Sequence, residues 1–357
     1  MKMKKLSSIL FWALMPFVLF TVVSCHDDDE KEGYKIDARR GLIVVNEGSY
    51  YSHINGSMDF LNFQDGLLER NVFDKVNLRT LGGTPNDAVV CKGKLFVATT
   101  DENRIEVMNA RNLRAEEPVT IIQPRELCTD GTYVYASSYT GKVYKIDPKK
   151  RQVVVESQVV GVQLEGITVC NNFVYVANSC NSDYTYNTNV VKMKAGDLSK
   201  VKDITVVCNP NVLETDGTRV FVCSWGDYFS TPATAQQIDQ NDQVSTITNA
   251  QYMTYHAGNL YLIHAPWGGT TTYQRFNVAS QSLSALPIGA EVFSPCNIGV
   301  DPLSGDIYVS SLSEDPDMPG SASYTTDGYI IRYNSSGQFV SRYDAGVSPA
   351  TLLFVNN

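Results

Sequence analysis

Thr129-Asp-Gly-Thr-Tyr-Val-Tyr-Ala-Ser-Ser-Tyr-Thr-Gly-Lys-Val-Tyr-Lys-Ile-Asp147 is the stretch whose reading decides the fold. An Asp-Gly turn leads into an alternating strand (Tyr133, Val134, Tyr135, Ala136). A short polar loop around Tyr139 and Gly141 follows, then a second alternating strand from Val143 to Ile146. Asp-Gly suits a tight turn because Gly tolerates positive φ, and period-two apolar spacing lays one face of each strand into a core. One such unit cannot bury both of its faces, but copies stacked side by side can.

The unit recurs along the chain. The strand after the turn returns as Leu42–Asn46, Leu95–Thr99, Val134–Ser138, Val174–Asn178, Val220–Ser224, Leu260–His264 and Ile307–Ser311. These seven starts lie 53, 39, 40, 46, 40 and 47 residues apart. A preceding strand opens on a related signature: Pro85-Asn-Asp, Pro124-Arg-Glu, Leu164-Glu-Gly, Pro210-Asn-Val, Ala250-Gln-Tyr and Pro295-Cys-Asn. Its seventh copy, Ser348-Pro-Ala-Thr-Leu-Leu-Phe354, stands at the C-terminus without a hairpin partner. The natural partner is Leu42–Asn46, because a closed ring needs a clasp that leaves no edge strand unpaired. The period predicts an all-β, seven-bladed β-propeller over residues 38–357, closed by pairing of the N- and C-terminal strands.

Residues 1–24 read as an address and not as part of the fold. Lys2, Lys4 and Lys5 form a positive start, Ile9 to Val23 an apolar run, and Val22-Val23-Ser24-Cys25 a lipoprotein cleavage site that leaves Cys25 to be acylated. The apolar run is short and followed by acids, which argues against a spanning anchor. His26-Asp-Asp-Asp-Glu-Lys-Glu32 makes residues 25–37 a lipidated, acidic and extended tether. The acids also resemble the export tag of Bacteroidetes lipoproteins. Together these imply a lipid-anchored protein on the extracellular face of a Gram-negative outer membrane.

Removing Met1 to Ser24 takes the formal charge from −9 to −12, since three Lys and no acid are lost. Such a balance argues against a nucleic-acid partner. Seven cysteines remain beyond Cys25, an odd number, with no CxxC pair; structural zinc is not expected, while a Cys180–Cys208 bridge stays open. No HExxH, nucleophile elbow or paired-metal spacing occurs, and the only histidines are His26, His53, His256 and His264. The expectation is a protein that is not an enzyme and has no cofactor and no metal site. Asp315 and Asp317, which flank Pro316, read as solvated.

In a propeller, connections from second to third strand and from blade to blade surround one mouth of the ring. Here they are long and aromatic, while the opposite turns are minimal, which points to function on one face. The candidate ligand-binding residues are Tyr50, Tyr51, Tyr139, Tyr184, Tyr186, Trp225, Tyr228, His264 and Trp267. Tyr and Trp among Asn, Ser and Gly combine broad apolar contact with adaptable hydrogen bonding. Packing of the loops on one another would account for any single ring equally well.

Gly41-Leu-Ile-Val-Val-Asn-Glu-Gly48, followed by Asn55-Gly-Ser-Met-Asp-Phe60, resembles the first blade of a Bacteroidetes surface-lipoprotein propeller family, YncE-like, with a cobalamin-binding branch known as BtuG. The resemblance implies capture of vitamin B12 or a related corrinoid and its delivery to a TonB-dependent outer-membrane transporter. A corrin ring offers a broad apolar face to Tyr and Trp and a rim of amides to Asn, Ser and Asp. A glycan- or protein-binding scaffold is the other reading of the same face, and a lyase-type propeller enzyme a weaker third.

Overall fold

The computed structural model describes residues 34–289 and 292–356. The signal peptide (1–24), the lipidation site Cys25 and the tether as far as residue 33 lie outside them. The described residues hold seven four-stranded antiparallel sheets, each one blade of a propeller. The second strands read as continuous apolar runs because both of their faces are covered: all five residues of Val134–Ser138 and of Val220–Ser224 are buried. Outer strands alternate instead, as Gln152–Glu156 does, since one side meets solvent.

Seven apolar clusters fill the gaps between neighbouring blades. Phe96, Ala98 and Val107 of the second blade, for example, meet Val134, Ala136 and Ile146 of the third. Each large aliphatic or aromatic side chain buried this way contributes about 1.5–3 kcal/mol. The ring closes as the sequence predicts. Pro349–Asn356 pairs antiparallel with Arg40–Asn46, from Arg40 opposite Asn356 through Leu42 opposite Phe354 to Val45 opposite Thr351. Leu42 and Val44 then pack against Tyr308, Ile330 and Ala345 of the seventh blade, and Arg40 pairs with Asp301 at 2.7 Å.

The first strands form the inner wall, each beside the first strand of the next blade: Pro85–Cys91, Pro124–Thr129, Gln163–Cys170, Pro210–Thr215, Tyr252–His256, Ser294–Val300 and Pro349–Asn356. Six of these seven carry a β-bulge at the same place, just after the Pro or Leu of their signature. Tyr252–His256 has none. A bulge adds one residue and re-aims its side chain, and here it does so around the axis. Polar bonds tie this wall together from blade to blade. Thr351 Oγ1 donates to Asn86 O, the Leu127 N–H to Asp87 Oδ2 and Asn297 Nδ2 to Ala350 O.

Three details differ from the sequence reading or add to it. Residues 34–37, expected in the tether, lie against the ring: the Tyr34 hydroxyl donates to Glu69, Ile36 packs on the core, and Asp37 pairs with Arg111 at 3.0 Å. A helix of one and a half turns, Val72–Asn77, leads into the second blade and buries Val72 and Phe73; it is too short to show helical periodicity. The seven described cysteines are all free thiols, so Cys180 and Cys208 are not bridged.

Candidate functional site

Antiparallel order puts the second-to-third connections and the blade-to-blade connections at one end of the ring. The opposite turns are tight: Lys92-Gly93, Asn171-Asn172 and Ala257-Gly258 each place two consecutive residues at positive φ. At the long-loop end stand the exposed rings of Tyr50, Tyr51, Tyr184, Tyr228, Phe229, Trp267 and Tyr324.

Several of these rings are held by their own loops. Asp227 accepts the N–H groups of Phe229, Ser230 and Thr231 at 2.9, 2.8 and 2.7 Å, and these bonds hold its carboxyl far below the usual carboxylate range. Tyr228 is thereby fixed at φ 61, a left-handed conformation uncommon outside Gly and Asn. Tyr184 sits likewise at φ 62, in a loop closed by the Asn181 N–H to Thr185 O at 2.8 Å. Fixed rings lose little entropy when a ligand arrives.

The nine residues expected at the site fall on five blades. Tyr50 and Tyr51 pack edge to face with centroids 5.3 Å apart, and Tyr186 meets Tyr228 across two blades at 6.0 Å. Trp267 is fully exposed on a turn closed by the Gly269 N–H to Pro266 O. Three of the nine have work inside the fold. Trp225 is half-buried, gives its Nε1–H to Gln251 O at 3.0 Å and lies against Tyr252, centroids 6.0 Å apart. Tyr139, also half-buried, donates to Glu165 Oε1 at 2.5 Å. His264 ends its strand opposite Thr272, and burial lowers its pKa. Asp315 accepts the Asp317 N–H at 2.8 Å, so that pair shapes its loop; no group of three acids, histidines or cysteines suited to a metal occurs among the described residues.

The structure adds a set of residues that the aromatic reading missed. At the axis, just below the loops, Arg125 stacks on the Tyr139 ring at 4.6 Å, binds Glu165 at 3.0 Å and donates to Asn86. Glu47 acts electrostatically on both Arg125 and Glu165, and on the phenol of Tyr252. Tyr252 in turn senses Tyr228 and Tyr324, so all seven blades supply a residue to this neighbourhood or to its edge (Cys296 adds to the seventh). The signal was present in Pro124-Arg-Glu and Leu164-Glu-Gly, whose bulges carry Arg125 and Glu165.

The Asn46-Glu47-Gly48 motif gains a physical account residue by residue. Asn46 is buried at the seam and donates to Ser57 Oγ at 3.0 Å and Asp59 Oδ2 at 2.9 Å. Asp59, itself buried, also takes the N–H groups of Asn71 and Gly346. Gly48 turns the chain at φ 76, where a Cβ would meet Ile54 O at 2.2 Å. Between these two fixed points Glu47 is left at the axis.

Deeper in the channel burial holds several carboxyls above their usual range. Burial pushes Asp87 up to about 6 and its hydrogen-bonded neighbour Glu126 well above the usual range. Burial also pushes Glu214 up to about 7, despite bonds from Thr254 and the Tyr255 N–H. A separate recess of about 290 Å³, lined by Phe173, Tyr175, Lys192, Arg219 and Asp239, opens between the fourth and fifth blades among the tight turns. Both of its cations are already paired, Lys192 with Asp242 at 2.7 Å and Arg219 with Asp216 at 2.9 Å.

Fold and site together define a seven-bladed propeller whose elaborated end is a ring of exposed aromatics over a charged axial mouth. The chain belongs to the family described as domain of unknown function DUF5074, whose model matches residues 40–354. No protein of curated function matches it. Among solved structures it is similar to a quinonprotein alcohol dehydrogenase-like protein from Bacteroides thetaiotaomicron, at TM-score 0.65 and 14% identity, over 90% of this chain and 79% of that one. It is also similar to the periplasmic gluconolactonase of Pseudomonas aeruginosa, at TM-score 0.63 and 12% identity, over 88% and 99%. A third likeness is to apo AztD from Citrobacter koseri, at TM-score 0.56 and 10% identity, over 90% and 98%. At these identities the likeness is one of fold.

Proposed function

We propose that this protein is a non-catalytic capture protein, anchored through acylated Cys25 to the outer face of the outer membrane. It binds a nutrient at the long-loop mouth and hands it to a TonB-dependent transporter. The observation that carries this reading is the concentration of held, exposed rings at one end of a rigid ring whose other end has only tight turns. The first ligand to test is cobalamin or a related corrinoid. That choice rests on the resemblance of the first blade and on the fit of a broad, amide-rimmed apolar disc to Tyr and Trp. A glycan- or protein-binding scaffold is the second reading, favoured by the complete exposure of Trp267 at the rim.

Calorimetric titration of residues 33–357 with cyanocobalamin and cobinamide tests the proposal. One-to-one binding, weakened at least about tenfold when Tyr228 and Trp267 are both replaced by Ala, is the expected result. No heat and no thermal shift at high ligand excess would discard the corrinoid and turn attention to glycans and protein partners.

A further inference from the structure

We propose that the axial mouth receives an organic ammonium group, with Glu47 as its counter-ion and the rings of Tyr228, Tyr252 and Tyr324 as its surround. The inference deepens the capture reading by naming the charge of the ligand, and it rests on that same mouth being the binding site.

The argument begins with what is already spent. Arg125, the cation facing Glu47, is engaged by Asn86, Glu165 and the face of Tyr139. Glu165 is engaged by that guanidinium and by the Tyr139 hydroxyl. Glu47 differs: among the described residues its carboxylate accepts no hydrogen bond, while its backbone N–H is fixed to Ser348 O at 2.8 Å. A half-buried carboxylate held by its backbone and left without a donor is incomplete, because a charge removed from water costs free energy unless it is paired. Glu47 and Glu165 face one cation, Arg125, and the carboxyls of Asp87 and Glu126 stand further along the same wall, so acids outnumber cations at the mouth.

The walls decide the kind of cation. Tyr252 begins the inner strand of the sixth blade at the end of the ring where Glu47 stands, braced by Trp225 at 6.0 Å, and Tyr228 is braced by Tyr186 at the same centroid distance. Tyr324 comes from the seventh-blade loop, and these phenols and the Glu47 carboxylate all act on Tyr252. Aromatic faces carry negative charge density and favour a weakly hydrated ammonium beside a carboxylate. A hard metal ion would demand several oxygen ligands at about 2.3–2.6 Å, and rings cannot supply them. An anion would meet an Arg125 whose charge is already answered by Glu165 and whose face is stacked on Tyr139.

The probe is choline, with 3,3-dimethylbutan-1-ol as its uncharged isostere, titrated calorimetrically into residues 33–357, which close into a ring with its own core. Choline is expected to bind at least about tenfold more tightly than the alcohol. Glu47→Gln is expected to abolish that preference, and Tyr324→Leu, at an exposed loop position, to weaken choline several-fold with an unchanged melting temperature. Equal binding of choline and the alcohol, or an undiminished preference in Glu47→Gln, would overturn the inference. If Glu47→Gln fails to fold, the isostere pair and Tyr324→Leu still decide. Choline preference without corrinoid heat keeps this inference and discards the vitamin. Corrinoid heat without choline preference does the reverse, and neither signal discards both.

Discussion

Trp225 and Trp267 look alike in the sequence, each in a Gly-containing loop of the same face, yet they do different work. Trp267 touches solvent on all sides, so Trp267→Ala should leave the melting temperature within about 1–2 °C while costing ligand affinity. Trp225 holds Gln251 through its indole N–H and braces Tyr252, so Trp225→Ala should destabilise the ring by about 2–3 kcal/mol. Thermal unfolding of the two variants side by side separates the roles; equal losses would refute the distinction. Glu214 makes a second residue-scale prediction. Its folded pKa is raised from 4.5 to about 7, so the folded chain holds a proton that the unfolded chain releases between those values. Its contribution is therefore full below about pH 4.5 and is lost as pH rises through 7. Asp87, raised from 3.8 to about 6, acts with the same sign. Stability should fall from pH 5 to pH 8, by about 1–2 kcal/mol from Glu214 after screening by channel water. Urea midpoints across that range should show the slope, and Glu214→Gln should flatten it above pH 6; a profile identical to wild type would place the titration elsewhere.

At the scale of the strand, legibility followed burial. The second strands declared themselves because both faces are dry, so Leu95-Phe-Val-Ala and Val220-Phe-Val-Cys read as apolar whatever the period. The first strands declared their place through the Pro signature but hid their chemistry. A bulge shifts the two-residue period by one, so Arg125 and Glu126 cannot be assigned to the channel by alternation. Side chains that meet only through the ring, such as Glu47 with Arg125 and Glu165, leave no local pattern at all, whereas the loop aromatics lie on the surface of the sequence. Strands of two residues, Leu68–Glu69 and Val119–Thr120, fall below any pattern length. The inner wall also explains Gly166. A Cβ there would meet Asn211 O at 2.2 Å and Leu213 N at 2.9 Å, both backbone atoms of the neighbouring first strand. Gly166→Ala must push two blades apart, and a loss of about 2–3 kcal/mol is expected. Chemical unfolding of this variant against Gly196→Ala, where a Cβ meets nothing within 4 Å, checks the claim: similar midpoints for both would refute it.

At the scale of the molecule, stability depends on a strand that arrives last. Pro349–Asn356 is the innermost strand of the first blade and the lateral neighbour of Ser294–Val300 and Pro85–Cys91, so it completes both a sheet and the inner wall. Six blades can form from local hairpins, but the first remains three-stranded until the two ends of the chain meet. Without the clasp, Arg40–Asn46 presents an open edge, and Leu42 and Val44 lose the cover of Leu352 and Phe354. A chain ending at Ser348 should therefore lose the cooperative unfolding transition of the full propeller, or regain pairing by association with a second copy. Size-exclusion chromatography and circular dichroism melts distinguish these results from an intact ring. A peptide of residues 348–357 added in trans should restore the monomeric transition, because the missing contacts lie on one continuous strand. A truncated chain that stays monomeric and melts at the temperature of the full protein would show that the blades hold one another without closure, and the clasp would then be an ornament of the fold and not its keystone.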